Sequence, residues 1–197
     1  MSAFTLNLSF GDDLSDEVVS VYSQDELLQV FTATLTYIGG RIHDGLLLPE
    51  FIFEETFAPQ DFCALPKSLD IYVCGSDEGH ALNLDARGKD YATNILSYPS
   101  GLPNMLFWQM GEIPLGELVI CHDVVVKEAH EQGKAFQHHL THLVVHGILH
   151  LLGFDHELGQ AEQDEMEGFE IGILAQLGIA NPYDDVIDDK LCNIGGV

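Results

Sequence analysis

The stretch "HGILHLLGFDH", residues 146–156, sets three histidines among leucines, with glycine at 147 and 153. Histidine is a poor choice for an apolar helix face unless something uses the imidazole. His142, His146 and His150 recur at i, i+4 and i+8, which puts them on one face of a predicted helix. Leu140, Leu143, Val144 and Leu151 anchor the rest of that helix in a core. Gly153 can adopt the left-handed conformation that stops a helix, and the chain can then turn and carry His156 back toward His146 and His150. The spacing H-x3-H-x5-H offers three corners of a tetrahedron and leaves the fourth open for water. Three neutral imidazoles suit a single Zn²⁺ ion best. Core histidines satisfied by hydrogen bonds would explain one such residue, but not three at this spacing with a glycine between. The metzincin peptidase signature has the same spacing, with a glutamate general base after its first histidine. Here that position is Gly147, which counts against a metallopeptidase-like hydrolase.

Outward from this segment, the period is helical. Residues 123–136, 137–153 and 160–178 read as helices, the last stopped by Gly178. Upstream the pattern alternates. Phe4, Leu6, Leu8 and Phe10 suit a half-buried strand, and 69–75, 94–99, 105–110 and 116–121 are further strand candidates. Between them, residues 23–40 form a predicted helix opened by a Ser23/Glu26 capping box, with Leu27, Phe31, Leu35 and Ile38 on one face and Gly39 and Gly40 at its end. Residues 44–68 read as irregular. Strands followed by long helices predict an α+β fold. We expect one domain over residues 1–183, a small mixed β-sheet packed with helices and carrying a zincin-like metal helix. A loose acidic tail follows over 184–197.

Thirty-two acids face seven lysines and arginines, a formal net charge of -25. Such a chain repels bulk nucleic acid and anionic membranes, so a nucleic-acid role needs a local positive groove, a cation or a carrier protein. Arg87 and Lys89 stand together in "DARGKDYATN" and could supply that groove, Arg87 by holding a phosphate bidentately. The N-terminus lacks a basic start and an apolar run, and no stretch is apolar enough to span a bilayer. Cys63, Cys74, Cys121 and Cys192 lie far apart without a C-x-x-C and read as reduced, mostly buried thiols of a cytoplasmic protein.

The segment 146–156 matches throughout the hallmark H-G-x-L-H-L-x-G-[YF]-D-H, and on this ground the chain resembles the YbeY family of metal-dependent endoribonucleases. "LNLDARGKDYATNILSYP" (82–99), "LGELVIC" (115–121), "HLTHLVVHG" (139–147) and "MEGFEIGILAQLGIANPY" (166–183) resemble further family stretches, so the likeness runs over about residues 69–183. Glu117 and Tyr98 depart mildly from the family pattern. The resemblance implies that Arg87 is the family's arginine near the metal cleft. It also implies a zinc-dependent, single-strand-specific endoribonuclease of rRNA processing, maturation and ribosome quality control. Its expected partners are precursor rRNA, with ribosomal proteins or other ribosome-associated factors.

Other residues carry weaker signals. His142 could support a ligand, shuttle a proton or simply pack, and His139 is similar. Asn83, Thr93, Asn94 and Ser97 could touch substrate or make turns. Asp155 could orient an imidazole or cap the turn after Gly153. "CHD" at 121–123 reads as a strand end running into an Asp123 N-cap. The acids from Glu162 to Glu170 read as the wet face of a helix. A second function class stays open beside the nuclease: a non-catalytic ribosome-assembly factor whose metal is structural, docking through its acidic surface on basic proteins.

Overall fold

The alternation at the N-terminus becomes an edge strand, β1 (Phe4–Phe10), with Leu6 buried and Thr5, Asn7 and Ser9 exposed or partly so. The computed structural model describes residues 4–51, 53 and 55–184. Its sheet has four strands in the order β1-β2-β4-β3, with β2 at Lys67–Cys74, β3 at Ile95–Pro99 and β4 at Ile113–Cys121. β1, β2 and β4 are parallel, and β3 runs antiparallel to β4 with Ile95 opposite Ile120. The α+β class and the mixed sheet expected from the sequence are therefore observed. Parallel neighbours need crossovers. The first passes through α2 (Gln24–His43) and α3 (Pro59–Ala64), the second through α4 (Ser76–Arg87), β3 and α5 (Met105–Met110). A four-residue helix, α1 (Asp16–Val19), precedes α2.

The main core lies on one sheet face, where α2 and α7 (Phe136–Leu151) cover the strands and α8 (Gln160–Gln176) packs behind α7. α6 (His122–Glu131) joins β4 to α7. A smaller cluster on the other face gathers Cys74, Leu96, Val119 and Cys121 beneath α4. There Gly79 lets the helix approach, because a Cβ on it would lie 2.9 Å from the Cys121 sulfur. Cys63, Cys74 and Cys121 are free thiols, while Cys192 lies outside the described residues. Among the described residues no helix is long and apolar enough to cross a membrane. The acidic tail lies, from residue 185, outside them as well.

Several local readings are corrected. Residues 105–110 form the short helix α5 rather than a strand. Its apolar run is too short for periodicity to separate helix from strand. Only Phe107 is buried, against Phe51 and Phe57, and Gly111 at φ 74° ends the turn. α2 starts as expected, with Ser23 Oγ accepting from Glu26 N, but continues through Gly39 and Gly40 to His43. Helical glycines cost about 1 kcal/mol each, and burial of Ile42 four residues after Ile38 offsets this. α4 was not expected, because only Gly79 and Asn83 are buried along it and no apolar stripe marks it. Asp123 does not cap α6. Its Oδ2 accepts from Ser76 N at 2.9 Å and Ser76 Oγ at 2.8 Å, so it caps α4 instead.

The segment 44–68, read as irregular, packs Phe51, Phe57 and Phe62 into the core. It also backs the end of α7, where Glu50 N donates to Leu152 O at 3.2 Å. That contact supports the turn on which His156 depends.

Candidate metal centre and its cleft

α7 ends in the leucine-rich turn that carries His146 and His150. Its inner face is sealed by Leu143, Val144, Leu149 and Leu151, all buried, so both imidazoles point from a fixed helix. Gly147 is part of that seal. A Cβ there would lie 2.8 Å from Leu118 Cδ2 and 2.9 Å from Ile95 Cδ1. The position that holds a peptidase's glutamate thus faces the sheet, and a glutamate would not fit.

Gly153 follows at φ 92°, and a Cβ on it would run into the backbone at Pro49 and Glu50. The tight turn returns the chain, and the His156 ring lies 5.2 Å from that of His146 and 5.3 Å from that of His150. One nitrogen from each of the three half-buried rings falls within 4.8 Å of the others, an arrangement that can hold a metal ion. His146 Nε2 and His150 Nε2 are 3.1 Å apart, close to the roughly 3.3 Å between two nitrogens on a tetrahedral zinc. Burial, followed by the charges of His146 and His156, pushes the His150 ring down to about 4, so it is neutral and able to ligate at neutral pH.

Behind these rings stands a residue that sequence reasoning missed. Glu170, on α8, is 1% exposed and is not on the wet face of its helix. Its Oε1 accepts from His146 Nδ1 at 2.8 Å, which leaves Nε2 of that ring with its lone pair free for a metal. Its Oε2 accepts from His142 Nε2 at 2.9 Å and from the Tyr183 hydroxyl. Burial alone would raise this carboxyl. The hydrogen bonds from His142 and His146, with the charge of His146 and the bond from Tyr183, outweigh it and hold Glu170 at about 2. His142 therefore sits behind the metal trio and meets it through Glu170, outside the cleft wall. His139 is farther back, buried, with Nε2 at 3.0 Å from Glu128 Oε2. The same Glu128 oxygen accepts from Asn94 Nδ2 at 3.0 Å, tying α6, α7 and the start of β3 together.

The three histidines open into a cleft of about 610 Å³ that is also lined by Arg87, Lys89, Tyr91 and Asn94. Arg87 is the last residue of α4, and Gly88 at φ 65° turns the chain into the following loop. Among the described residues neither Arg87 nor Lys89 is tied to a carboxylate, whereas Lys127 pairs with Glu131 and Lys134 bonds Pro182 O. Two of seven basic residues in a strongly acidic chain thus face one cleft. The structure brings His146, His150, His156 and Arg87 together, and leaves His142 one carboxylate away.

Asn83, Thr93, Asn94 and Ser97 all line the same cleft, and three of them also make structural bonds. Asn83 is 1% exposed and donates from Nδ2 to Tyr91 O at 2.7 Å, so it clamps the loop. Ser97 Oγ donates to Gly147 O at 3.3 Å, fastening α7 to β3. Asp155 Oδ1 accepts from Glu157 N at 2.9 Å, the turn-capping alternative. Asp155 and Glu157 also line the cleft as its carboxylates.

The family model described as Endoribonuclease YbeY matches residues 50–178, reaching back into the segment that the sequence motifs alone left uncovered. A Psychrobacter cryohalolentis protein named Endoribonuclease YbeY is 57% identical over 157 residues, 80% of this chain and 99% of its own length. A Psychrobacter arcticus protein of the same name is 63% identical over 142 residues, 72% of this chain and 68% of its own. A solved structure from Thermotoga maritima overlaps 88% of this chain and 91% of its own at 18% identity, with a TM-score of 0.45.

Proposed function

The chain belongs to the YbeY endoribonuclease family, and from that premise we propose that it is a zinc-dependent, single-strand-specific endoribonuclease of rRNA processing, maturation and ribosome quality control. The observation that carries this reading is the meeting, in one cleft, of three imidazole nitrogens within 4.8 Å and an arginine tied to no carboxylate among the described residues. His146, His150 and His156 are the residues that would hold one zinc ion. A bound zinc ion supplies Lewis-acid polarisation of water and of a phosphate oxygen.

The chain's own residues do the rest. Glu170 fixes the His146 tautomer and ring angle through a 2.8 Å bond, and His142 and Tyr183 hold Glu170 in turn. His142, at the back of this chain of bonds, is the candidate proton shuttle. Arg87 lines the same cleft, where its planar fork can bind two phosphate oxygens and stabilise charge that develops in the transition state. Lys89 adds a second cation beside it. Gly147 leaves no carboxylate at the position of the peptidase's general base, which supports phosphodiester over peptide hydrolysis.

The expected setting is cytoplasmic, resting on the reduced cysteines. The expected single domain, residues 1–183, contains every residue given a role in this chemistry. The charge of -25 supports basic ribosomal proteins as further partners.

The test combines elemental analysis with cleavage of single-stranded and duplex RNA, before and after chelation and zinc readdition. The reading expects about one metal ion per chain, single-strand cleavage lost on chelation and regained with zinc. A loaded protein that cleaves nothing, yet melts earlier when stripped, would support the assembly-factor alternative with a structural metal.

A further inference from the structure

Tyr91 lines the cleft together with Arg87, Lys89 and the β3 residues Ile95 and Ser97, and it is 58% exposed. Burying an aromatic ring is favourable, and this one forgoes most of that gain although the chain around it is anchored. Asn83, buried under the loop, donates to Tyr91 O at 2.7 Å. His80 Nε2 holds Asp90 Oδ1, one residue earlier, at 2.8 Å. Gly88 makes the turn out of α4 that starts the loop. The ring therefore projects from a pinned backbone into a cleft that also holds the metal-site histidines. Apart from those histidines, it is the only aromatic among the described residues lining that cleft. Arg87 and Lys89 stand four and two residues before it, exposed and tied to no carboxylate among the described residues.

A π-face beside unpaired cations is the combination that binds single-stranded nucleic acid: cations follow the phosphates, and the ring stacks on an unstacked base. In an A-form duplex the base faces are covered by their neighbours, so a ring of this kind gains nothing from duplex RNA. Resting on the endoribonuclease reading, we propose that Tyr91 is the nucleobase platform of the cleft. One base near the scissile phosphodiester lies on its ring while Arg87 and Lys89 take the adjoining phosphates. The ring thereby selects single strands and sets which nucleotide is presented to the metal site.

The proposal is tested on the zinc-loaded protein with Tyr91→Leu, which keeps apolar area and removes the π-face, and with Tyr91→Phe, which keeps the ring. The substrate is a labelled 16-nucleotide RNA in which one nucleotide at a time is replaced by abasic ribose. Tyr91→Leu is expected to lower kcat/KM roughly 10- to 100-fold, and Tyr91→Phe to recover most of the loss. A single abasic position should reproduce that loss in the wild type, and there Tyr91→Leu should add nothing. Losses that multiply at every abasic position, or a Tyr91→Leu protein as fast as wild type, overturn the proposal. Urea midpoints of both variants check that the exposed substitution leaves folding intact.

A second readout separates this proposal from the reading beneath it. In a His146→Ala background, the same RNA is followed by fluorescence anisotropy, with and without Tyr91→Leu. Absence of cleavage by loaded wild type would remove the endoribonuclease reading and leave the anisotropy to decide. Affinity weakened about 10-fold by Tyr91→Leu supports stacking, and equal affinities overturn it.

Discussion

Oε1 of Glu170 lies 2.8 Å from Nδ1 of His146, and this bond joins α8 to the metal-bearing turn of α7. It decides which nitrogen of His146 carries the proton, and therefore which nitrogen is free to bind a metal. Glu170→Gln keeps the shape and removes the charge. Zinc affinity should fall about 10- to 100-fold, read by competition with a chromophoric chelator. Glu170→Ala leaves two imidazoles and a tyrosine hydroxyl without their acceptor and should cost about 3 kcal/mol or more in urea unfolding. Wild-type zinc affinity in Glu170→Gln would show that the carboxylate is incidental to the site.

His146→Ala and Arg87→Ala should separate binding from rate. The first removes a metal nitrogen, so metal content and RNA cleavage are lost together. The second leaves metal content at the wild-type level and lowers kcat/KM on RNA about 10²- to 10³-fold. Arg87→Lys should recover only part, because a point charge lacks the planar fork. Full cleavage by a metal-free His146→Ala sample would refute the ligand assignment.

Acid should destabilise the chelated protein over a defined window. Burial, with the charges of His146 and His156, holds the folded His150 ring at about 4, against roughly 6.5 in an unfolded chain. A depressed histidine pKa means the unfolded chain takes up the proton first, so stability present above about pH 6.5 declines as pH falls toward 4. His122 and His139 are lowered by burial as well and add in the same direction. Glu170, lowered to about 2, loses its contribution only as pH falls from about 4.5 toward 2 and so adds little between pH 7 and pH 5. After chelation the urea midpoint should be lower at pH 5 than at pH 7, and His150→Gln should narrow the gap. A gap of unchanged size in that variant would rule out His150 as a source.

Replacing Gly147 should not create a peptidase. Gly147→Ala gains helix propensity of about 1 kcal/mol, against overpacking of Leu118 and Ile95 that typically costs about 1–3 kcal/mol, for a net loss near 1 kcal/mol. Gly147→Glu pushes a carboxylate into the sheet and should leave little folded protein by circular dichroism. A folded, peptide-cleaving Gly147→Glu enzyme would contradict the packing described.

Gly153→Ala should weaken the metal site from outside it. The residue sits at φ 92°, and its Cβ would meet the Pro49–Glu50 backbone, which has no side-chain freedom to yield. The left-handed conformation alone costs about 1–2 kcal/mol. Melting temperature and zinc affinity should fall together, since the turn that carries His156 must shift. A lower melting point with unaltered zinc affinity would show that His156 reaches the site independently of this turn.

The convergence of His146, His150 and His156 was legible because it is local. One helical turn and one glycine bend bring the rings together within eleven residues, and both devices leave marks in the sequence. The strands β1 and β2 were legible for the same reason, since alternation records which face of a segment is apolar, whereas β3 and β4 stood out as short apolar runs between prolines and glycines. Tertiary structure alone decided the rest. Glu170 looked like its acidic neighbours on α8, because a buried carboxylate is stable only where donors from other elements meet it. Those donors, His142, His146 and Tyr183, come from α7 and from beyond the end of α8. Arg87 reached the cleft on a helix with no apolar stripe, carried there by the order of β2, β4 and β3. A segment's periodicity encodes its own burial, whereas the partners of a charge are fixed only when distant segments pack.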